Sequence, residues 1–347
     1  MEKLQLNQIG QSVKIPNELL SYEPTHTSRY LILASMLTLL GSPKKMKILD
    51  VGGKKGLLGM FPGFAPTIID IEDSDEPNFV KGSALAMPFK DGQFEYSISC
   101  DVLEHIEAPD REKFLSEMLR VSSKGVILCA PFNSQSNEQL ESEMNDYYYH
   151  LSGQGHRWLK EHIDNGLPSE AAVERQLQKL KLGFVKFRHF SPLNWRTIVK
   201  YHLLHTAFGD NEVLEKSVHD IYRKYYKNMC GMDFSEAGYR TFFWISKTGT
   251  PQVVLPKESE VAKAVSNFQH EVENIKIDVL EREMKSLREH MQHKNAQAAV
   301  TEELRQKLAK ADSELKAIKT SRAWRAVSRA RTVHSRVRNI IPGKKHA

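Results

Sequence analysis

Four short apolar runs, MKILDV (46–51), TIIDI (67–71), EYSISC (95–100) and GVILCAPF (125–132), recur through the first 132 residues with intervals that leave room for connecting helices. Each is too short for a helix and suits a strand buried on both faces of a parallel sheet. Between the last two, DREKFLSEMLRV (110–121) repeats Phe114, Leu115, Met118, Leu119 and Val121 at helical spacing, and SSKG turns the chain back. This alternation predicts an α/β fold, a doubly wound and mostly parallel sheet.

The flanks fill in the organisation. THTSRYLILASMLTL (25–39) reads as an amphipathic helix capped by Thr or Ser and ended by Gly41-Ser42-Pro43, which makes 1–45 an N-terminal helical segment. The main domain is expected over 46–250, with insertions at about 135–168 and 191–238. The first insertion is polar and aromatic and suits a lid; Ser169 caps a covering helix over 169–180. FVKFRHF (184–190) and YRTFFWIS (239–246) read as late strands, and the mainly helical residues between them as a cap over one end of the sheet.

The last ninety residues form a different object, with neither Pro nor Gly between Lys257 and Ile341. Apolar residues step by four and three, first as Val261, Val265, Phe268, Val272, Ile275 and Val279, then as Leu280, Met284, Leu287 and Met291, and again as Leu304, Leu308, Ala311, Leu315 and Ile318. The expectation is a coiled-coil helix over 257–320 that self-associates into a homo-oligomer; a helix folded back on the main domain is the competing reading. Over 321–347 the chain is basic and amphipathic, and from Lys319 onward it contains no Asp or Glu. The net charge of +6 resides there, since the remainder is slightly acidic.

Chemistry starts at KILDVGGKKG (47–56), where an apolar run ends in an acid and opens onto Gly52, Gly53 and Gly56. Such glycines let the backbone bend sharply and approach a ligand. A dinucleotide fingerprint would need glycines where Lys54 and Leu57 stand, and a phosphate loop would need Gly-Lys-Ser/Thr. Twenty residues on, Asp70 ends the second run, where a carboxylate can accept hydrogen bonds from ribose hydroxyls.

With VKGSALAMPFKDGQFEYSISCDVLEHI (80–106), the series resembles the class I S-adenosylmethionine-dependent methyltransferases, in the branch that modifies small molecules and sugars. The resemblance covers about residues 46 to 132 and implies a Rossmann-like methyltransferase domain that binds S-adenosylmethionine. Asp50, Gly52 and Gly56 match the acid and outer glycines of the family's first loop, with Gly53 beside them; Asp70 matches the ribose-binding acid, followed by Ile71. Ser83 and Ala84 stand where Asp-Ala meets adenine, and Asp101, Val102, Leu103, Glu104 and His105 match the exit from the fourth core strand. Two positions depart from the pattern. Ser83 replaces Asp, and Lys54 replaces the middle glycine, where it either points outward or pairs with the methionine carboxylate, or else fills the pocket.

Methyl transfer to a hydroxyl benefits from a base. His105 at the mouth of the sheet and His156 in GHRWLKEH are the candidate catalytic residues, with His162 and Glu161 beside the latter; packing under the cofactor is the alternative role for His105. His156 and His162 are poorly spaced as ligands, so no metal site is expected. Tyr147, Tyr148, Tyr149 and Trp158 suit either a stacking wall for a sugar ring or ordinary packing.

Cys100, Cys129 and Cys230 show no CxxC spacing and read as buried thiols in a reducing, cytoplasmic compartment. No run approaches the roughly 20 apolar residues of a membrane span. The tail TSRAWRAVSRARTVHSRVRNIIPGKK suits an anionic membrane surface at the inner membrane face or a complex with glycosyltransferases, resembling a Ser-x-x-Trp-Arg segment of surface-polysaccharide enzymes. Nucleic acid is the disfavoured partner. The resulting expectation is O-methylation of a sugar in a bacterial surface glycan or its lipid-linked precursor. Its competitors are an inactive coiled-coil scaffold for glycan-synthesising enzymes and a small-metabolite methyltransferase.

Overall fold

The computed structural model describes residues 3–5, 13–53, 55–208, 212–273, 275 and 298–321, which fall in two units, 1–272 and 273–347. In the first unit the strands are, in chain order, β1 (Lys3–Gln5), β2 (Ile48–Val51), β3 (Thr67–Asp70), β4 (Phe79–Lys81), β5 (Phe94–Cys100), β6 (Ser122–Pro131), β7 (Gly183–His189), β8 (Arg240–Ser246) and β9 (Gln252–Val254). Seven of them form one sheet in the order β4-β3-β2-β5-β6-β8-β7, while β1 and β9 pair in parallel apart from it. Within the large sheet β8 runs antiparallel to both β6 and β7; every other pairing is parallel. The apolar runs became the central strands because they are buried on both faces: every residue of β2 and of β8 is buried. The half-buried β4 lay outside the sequence expectation, since its three residues carry no comparable apolar run.

From β2 the chain moves outward to β3 and β4, then returns to β5 on the other side of β2. Strand order therefore reverses between β2 and β5, and in open α/β sheets a crevice for ligands lies at the carboxyl ends of such a pair.

Helices cover the sheet. They are α1 (Pro24–Leu40), α2 (Arg111–Val121), α3 (Gln135–Ser152), α4 (Arg157–Asn165), α5 (Glu170–Lys179), α6 (Pro192–Phe208), α7 (Glu212–Asn228) and, over 258–273, α8. α2 buries Phe114, Leu115, Met118, Leu119 and Val121 as its spacing predicts, and α5 is capped by Ser169, whose Oγ accepts from the Ala172 amide. α1 corrects the amphipathic expectation. From Tyr30 to Leu37 it is buried on every side, and it opens with Pro24 after Glu23 and no side-chain cap. A helix apolar all round belongs in the interior.

The C-terminal expectation changes as well. Val261, Phe268 and Val272 are buried inside the first unit, with Phe268 set edge-on to Tyr225 at 5.5 Å between ring centroids. These three residues of the first stripe pack on the chain's own domain, while Val279 of the same stripe lies outside the described residues. In the second unit, α9 (Ala298–Thr320) places the half-buried Leu308, Ala311, Leu315 and Ile318 on one face. Leu280, Met284, Leu287 and Met291, the tail beyond Ser321, and Lys54 lie outside the described residues. Cys100, Cys129 and Cys230 are free and buried. Among the described residues no helix is long and apolar enough to cross a membrane.

Candidate functional site

The crevice begins at the end of β2. Asp50 is fully buried under the loop that follows, its Oδ1 3.4 Å from the Tyr30 hydroxyl and its Oδ2 without a hydrogen-bond partner among the described residues. Burial raises its pKa to about 7, against the pull of Tyr30 and Arg29. Gly52 and Gly56 take positive φ, +82° and +60°, and a Cβ at Gly52 would stand 2.2 Å from a methyl of Val102. At Gly53 a Cβ would meet the Asp50 carboxylate, and at Gly56 that of Glu76. The three glycines thus let protein side chains approach the loop, and Asp50 supports it from beneath.

Asp70 ends β3 half-buried, with Oδ1 accepting from the Glu72 amide at 2.9 Å. Next to it Ile71 is 69% exposed, an apolar side chain held at the crevice edge. Ser83 is exposed and accepts from the Leu85 amide, beside the half-buried Ala84. Across the crevice Asp101 follows β5 with φ +51°, a left-handed conformation that a non-glycine residue rarely takes. Two arginines hold it: Arg240 from β8 donates Nε to Oδ1 at 2.8 Å, and Arg29 from α1 donates Nη1 to Oδ2.

Beyond Asp101 a turn of 3-10 helix, Leu103–His105, brings Glu104 and His105 against the insertion. His105 Nε2 lies 3.4 Å from His162 Nε2 of α4, and its Nδ1 faces the Glu161 carboxylate at 3.5 Å. His162 Nδ1 lies 3.0 Å from Glu141 of α3, and Glu141 also accepts from the Tyr239 hydroxyl. Burial, with the charge of His162, lowers the His105 pKa to about 4, so the ring is neutral at neutral pH. Burial works against the charged form of His162 too, yet the Glu141 hydrogen bond and the nearby carboxylates raise its pKa. Trp158 packs edge-on against His105 at 5.3 Å, and Arg157 reaches Glu72 after β3 at 3.7 Å. α4 therefore spans the mouth from the β3 side to the β5 side.

The predicted residues divide cleanly. Asp50, Gly52, Gly53, Gly56, Asp70, Ile71, Ser83, Ala84, Asp101 and Val102 all lie on strand ends and on the loops that follow β2, β3, β4 and β5. His105 meets His162, while His156 sits before α4, its ring edge-on to Tyr148 and its amide bound to Asn145. Tyr148 is buried and Tyr149 exposed, so the tyrosines do not present one wall. Glu104, Glu141, Arg29, Arg240 and Tyr239 were not singled out from the sequence. Their partners lie up to 139 residues away, and only the Leu-Glu-His run pointed toward Glu104.

Residues 68–130 match a family described as a methyltransferase domain. Over 51 residues the chain is 39% identical to norajmaline N-methyltransferase of Rauvolfia serpentina, which is 15% of this chain and 17% of that protein. Over 52 residues it is 44% identical to the "Probable tocopherol O-methyltransferase, chloroplastic" of Oryza sativa subsp. japonica, 15% of this chain and 14% of that one. The chain thus spans less than a fifth of either relative. A solved magnesium protoporphyrin IX methyltransferase from Synechocystis PCC 6803, with bound SAH, is 12% identical over 69% of this chain and 90% of that one, with a TM-score of 0.40. The match at 68–130 runs from β3 into β6, on a sheet whose order reverses between β2 and β5, so over that stretch the chain is similar to a methyltransferase domain.

Proposed function

We propose that the protein transfers a methyl group from S-adenosylmethionine to a hydroxyl of a sugar in a surface glycan or its lipid-linked precursor. The observation that carries methyl transfer is the crevice between β2 and β5, with Asp70 and Ile71 on one rim and the His105 cluster on the other. The residues present fit the cofactor. Asp70 can accept from both ribose hydroxyls, the exposed Ile71 offers an apolar face to adenine, and the Ser83 hydroxyl can donate to a ring nitrogen.

When bound, S-adenosylmethionine supplies an activated methyl group, whose transfer to the acceptor oxygen leaves S-adenosylhomocysteine and releases the hydroxyl proton. The chain's own task is to orient the acceptor and manage that proton. The acceptor hydroxyl is activated where His105 and His162 meet: an imidazole held neutral can accept a proton, and the Glu141 carboxylate fixes the orientation of His162. His156 is the second candidate base. Arg157 and Trp158, cation over ring at 4.2 Å, form an exposed shelf beside the mouth for the flat face of a sugar.

The rest of the proposal rests on the sequence. The apolar face of α9 suits self-association, and the basic tail suits an anionic membrane surface or a glycosyltransferase complex at the cytoplasmic face. A second reading, methylation of a small metabolite, is favoured by the likeness to norajmaline N-methyltransferase and to the "Probable tocopherol O-methyltransferase, chloroplastic". Calorimetric titration with S-adenosylmethionine tests the shared core. Binding by the native protein and its loss in Asp70→Ala are expected; no heat from the native protein would overturn it. Incubation with labelled cofactor and either lipid-linked glycans or small hydroxylated metabolites separates the two acceptors.

A further inference from the structure

Glu104 is a buried group that the contacts among the described residues leave unexplained. It is fully buried, and neither carboxylate oxygen has a hydrogen-bond partner among the described residues. Leaving one buried polar group unsatisfied costs about 1–3 kcal/mol, and more for a charge. Arg29 and Arg240 lie near enough for their charge to favour the Glu104 carboxylate, but they donate to Asp101 and neither hydrogen-bonds Glu104 among the described residues. Arg111 gives its donors to the carbonyls of Ile106 and Gly166.

Two imidazoles share this space. One ligand-type atom from each of Glu104, His105 and His162 lies within 4.8 Å of the others. The two Nε2 atoms face each other at 3.4 Å, long for a hydrogen bond between imidazole nitrogens. Nitrogens bound tetrahedrally at about 2.0–2.1 Å from one zinc ion stand about 3.3–3.4 Å apart. Each ring also turns its other nitrogen to a carboxylate, His162 Nδ1 to Glu141 at 3.0 Å and His105 Nδ1 to Glu161 at 3.5 Å. Metal-bound histidines are held as His162 is, by an outer carboxylate hydrogen bond that fixes the tautomer and leaves Nε2 free for the ion; the Glu161 contact to His105 is an ion-pair distance without a hydrogen bond.

We propose that Glu104, His105 and His162 form a binding site for one divalent transition-metal ion of the zinc type, with an open position facing the crevice mouth. Two nitrogens and one carboxylate suit zinc or its neighbours better than magnesium or calcium, which prefer oxygen ligands. The ion answers the buried charge of Glu104 and accounts for the opposed imidazoles in one stroke. Its role rests on the methyl-transfer reading above. An acceptor hydroxyl bound at the open position would lose its proton to solvent at neutral pH, as metal-bound water does, leaving an oxygen nucleophile beside the cofactor. His105 then serves as a ligand rather than as a free base.

The test is metal binding by the purified full-length chain, independent of any acceptor. After chelator treatment, Co2+ titration followed by its visible d–d absorption, and Zn2+ competition against a chromogenic chelator, should show one ion per chain. His162→Ala and Glu104→Gln should each weaken Zn2+ binding at least tenfold, and Glu141→Gln by roughly 10–100-fold through loss of the outer hydrogen bond. Thermal denaturation of each variant shows whether it is folded, and the Glu141→Gln result stands if either ligand variant is not. Absence of stoichiometric binding, or binding unchanged in folded Glu104→Gln and Glu141→Gln, would overturn the site. Calorimetry of S-adenosylmethionine on the chelated protein keeps the two claims separate: cofactor heat without metal binding removes the site alone, and metal binding without cofactor heat removes the methyl-transfer role alone.

Discussion

Arg240 Nε lies between the two carboxylate oxygens of Asp101, 2.8 Å from Oδ1 and 3.0 Å from Oδ2, and joins the last strand of the sheet to the end of β5. Both guanidinium groups are buried while the Asp101 side chain is 15% exposed, and Arg29 closes on the same carboxylate from α1. Removing one partner of a buried ion pair strands the others without solvent. Asp101→Ala, which leaves two guanidinium groups unpaired, should lower unfolding free energy by about 3–5 kcal/mol. Asp101→Asn keeps a residue tolerant of the +51° backbone and removes only the charge, so its loss should be smaller. Urea denaturation of the three proteins at neutral pH measures both steps; equal stability throughout would show that the arginines find other partners.

Gly52 matters for what lies on it. Its φ of +82° and the Val102 methyl 2.2 Å from an added Cβ make Gly52→Ala costly twice over. Backbone strain of this kind amounts to about 1–3 kcal/mol, to which the clash adds. In Gly52→Ala/Val102→Ala the clash is relieved and the strain remains. The double variant should therefore be more stable than the sum of the single losses, a coupling that a double-mutant cycle of denaturation midpoints reads directly.

Asp50 sets a pH dependence. Its folded pKa, raised by burial to about 7, exceeds the ordinary 3.8 of the unfolded chain. The folded state then holds a proton that the unfolded state gives up, so this group's contribution is fully present below the unfolded value and is lost as pH rises through the folded one. A shift of that size corresponds to at most roughly 4 kcal/mol. Asp50→Asn cannot ionise. The native chain should lose stability relative to the variant between about pH 4 and 7 and hold a constant difference above. Denaturation midpoints of both proteins across that range check the sign; a gap that narrows with rising pH would refute the buried, protonated Asp50.

The strands of the central sheet were legible because burial on both faces removes the need for alternation. Ile48 and Leu49, or Val126 to Leu128, announce themselves as apolar runs. The rim around β2, β3 and β5 was legible for a related reason, since Asp50, Gly52, Asp70 and Asp101 lie at or just beyond the ends of those runs. The other rim was not. His162 meets His105 across 57 residues of chain, and Glu141 meets Tyr239 across 98. No local periodicity records such a pairing: the spacing argument compared His156 with His162, whereas the fold brings His162 to His105. β4 escaped because an edge strand, half-buried, needs little apolar sequence.

The C-terminal stripe shows the limit of periodicity from the other side. Val261, Phe268 and Val272 step by seven and four, a spacing that serves a seam between chains and a helix packed on its own domain equally well. Burial decides for the second, because Phe268 is fully enclosed and edge-on to Tyr225, whose hydroxyl in turn donates to Asp233. Phe268→Ala removes a core aromatic of the first unit and should cost about 3–5 kcal/mol in its unfolding. The oligomeric state, followed by sedimentation at a temperature where the variant is folded, should not change. If the variant instead keeps its stability and falls from oligomer to monomer, the stripe is an intermolecular seam, and α8 must exchange its place on the domain for a partner helix.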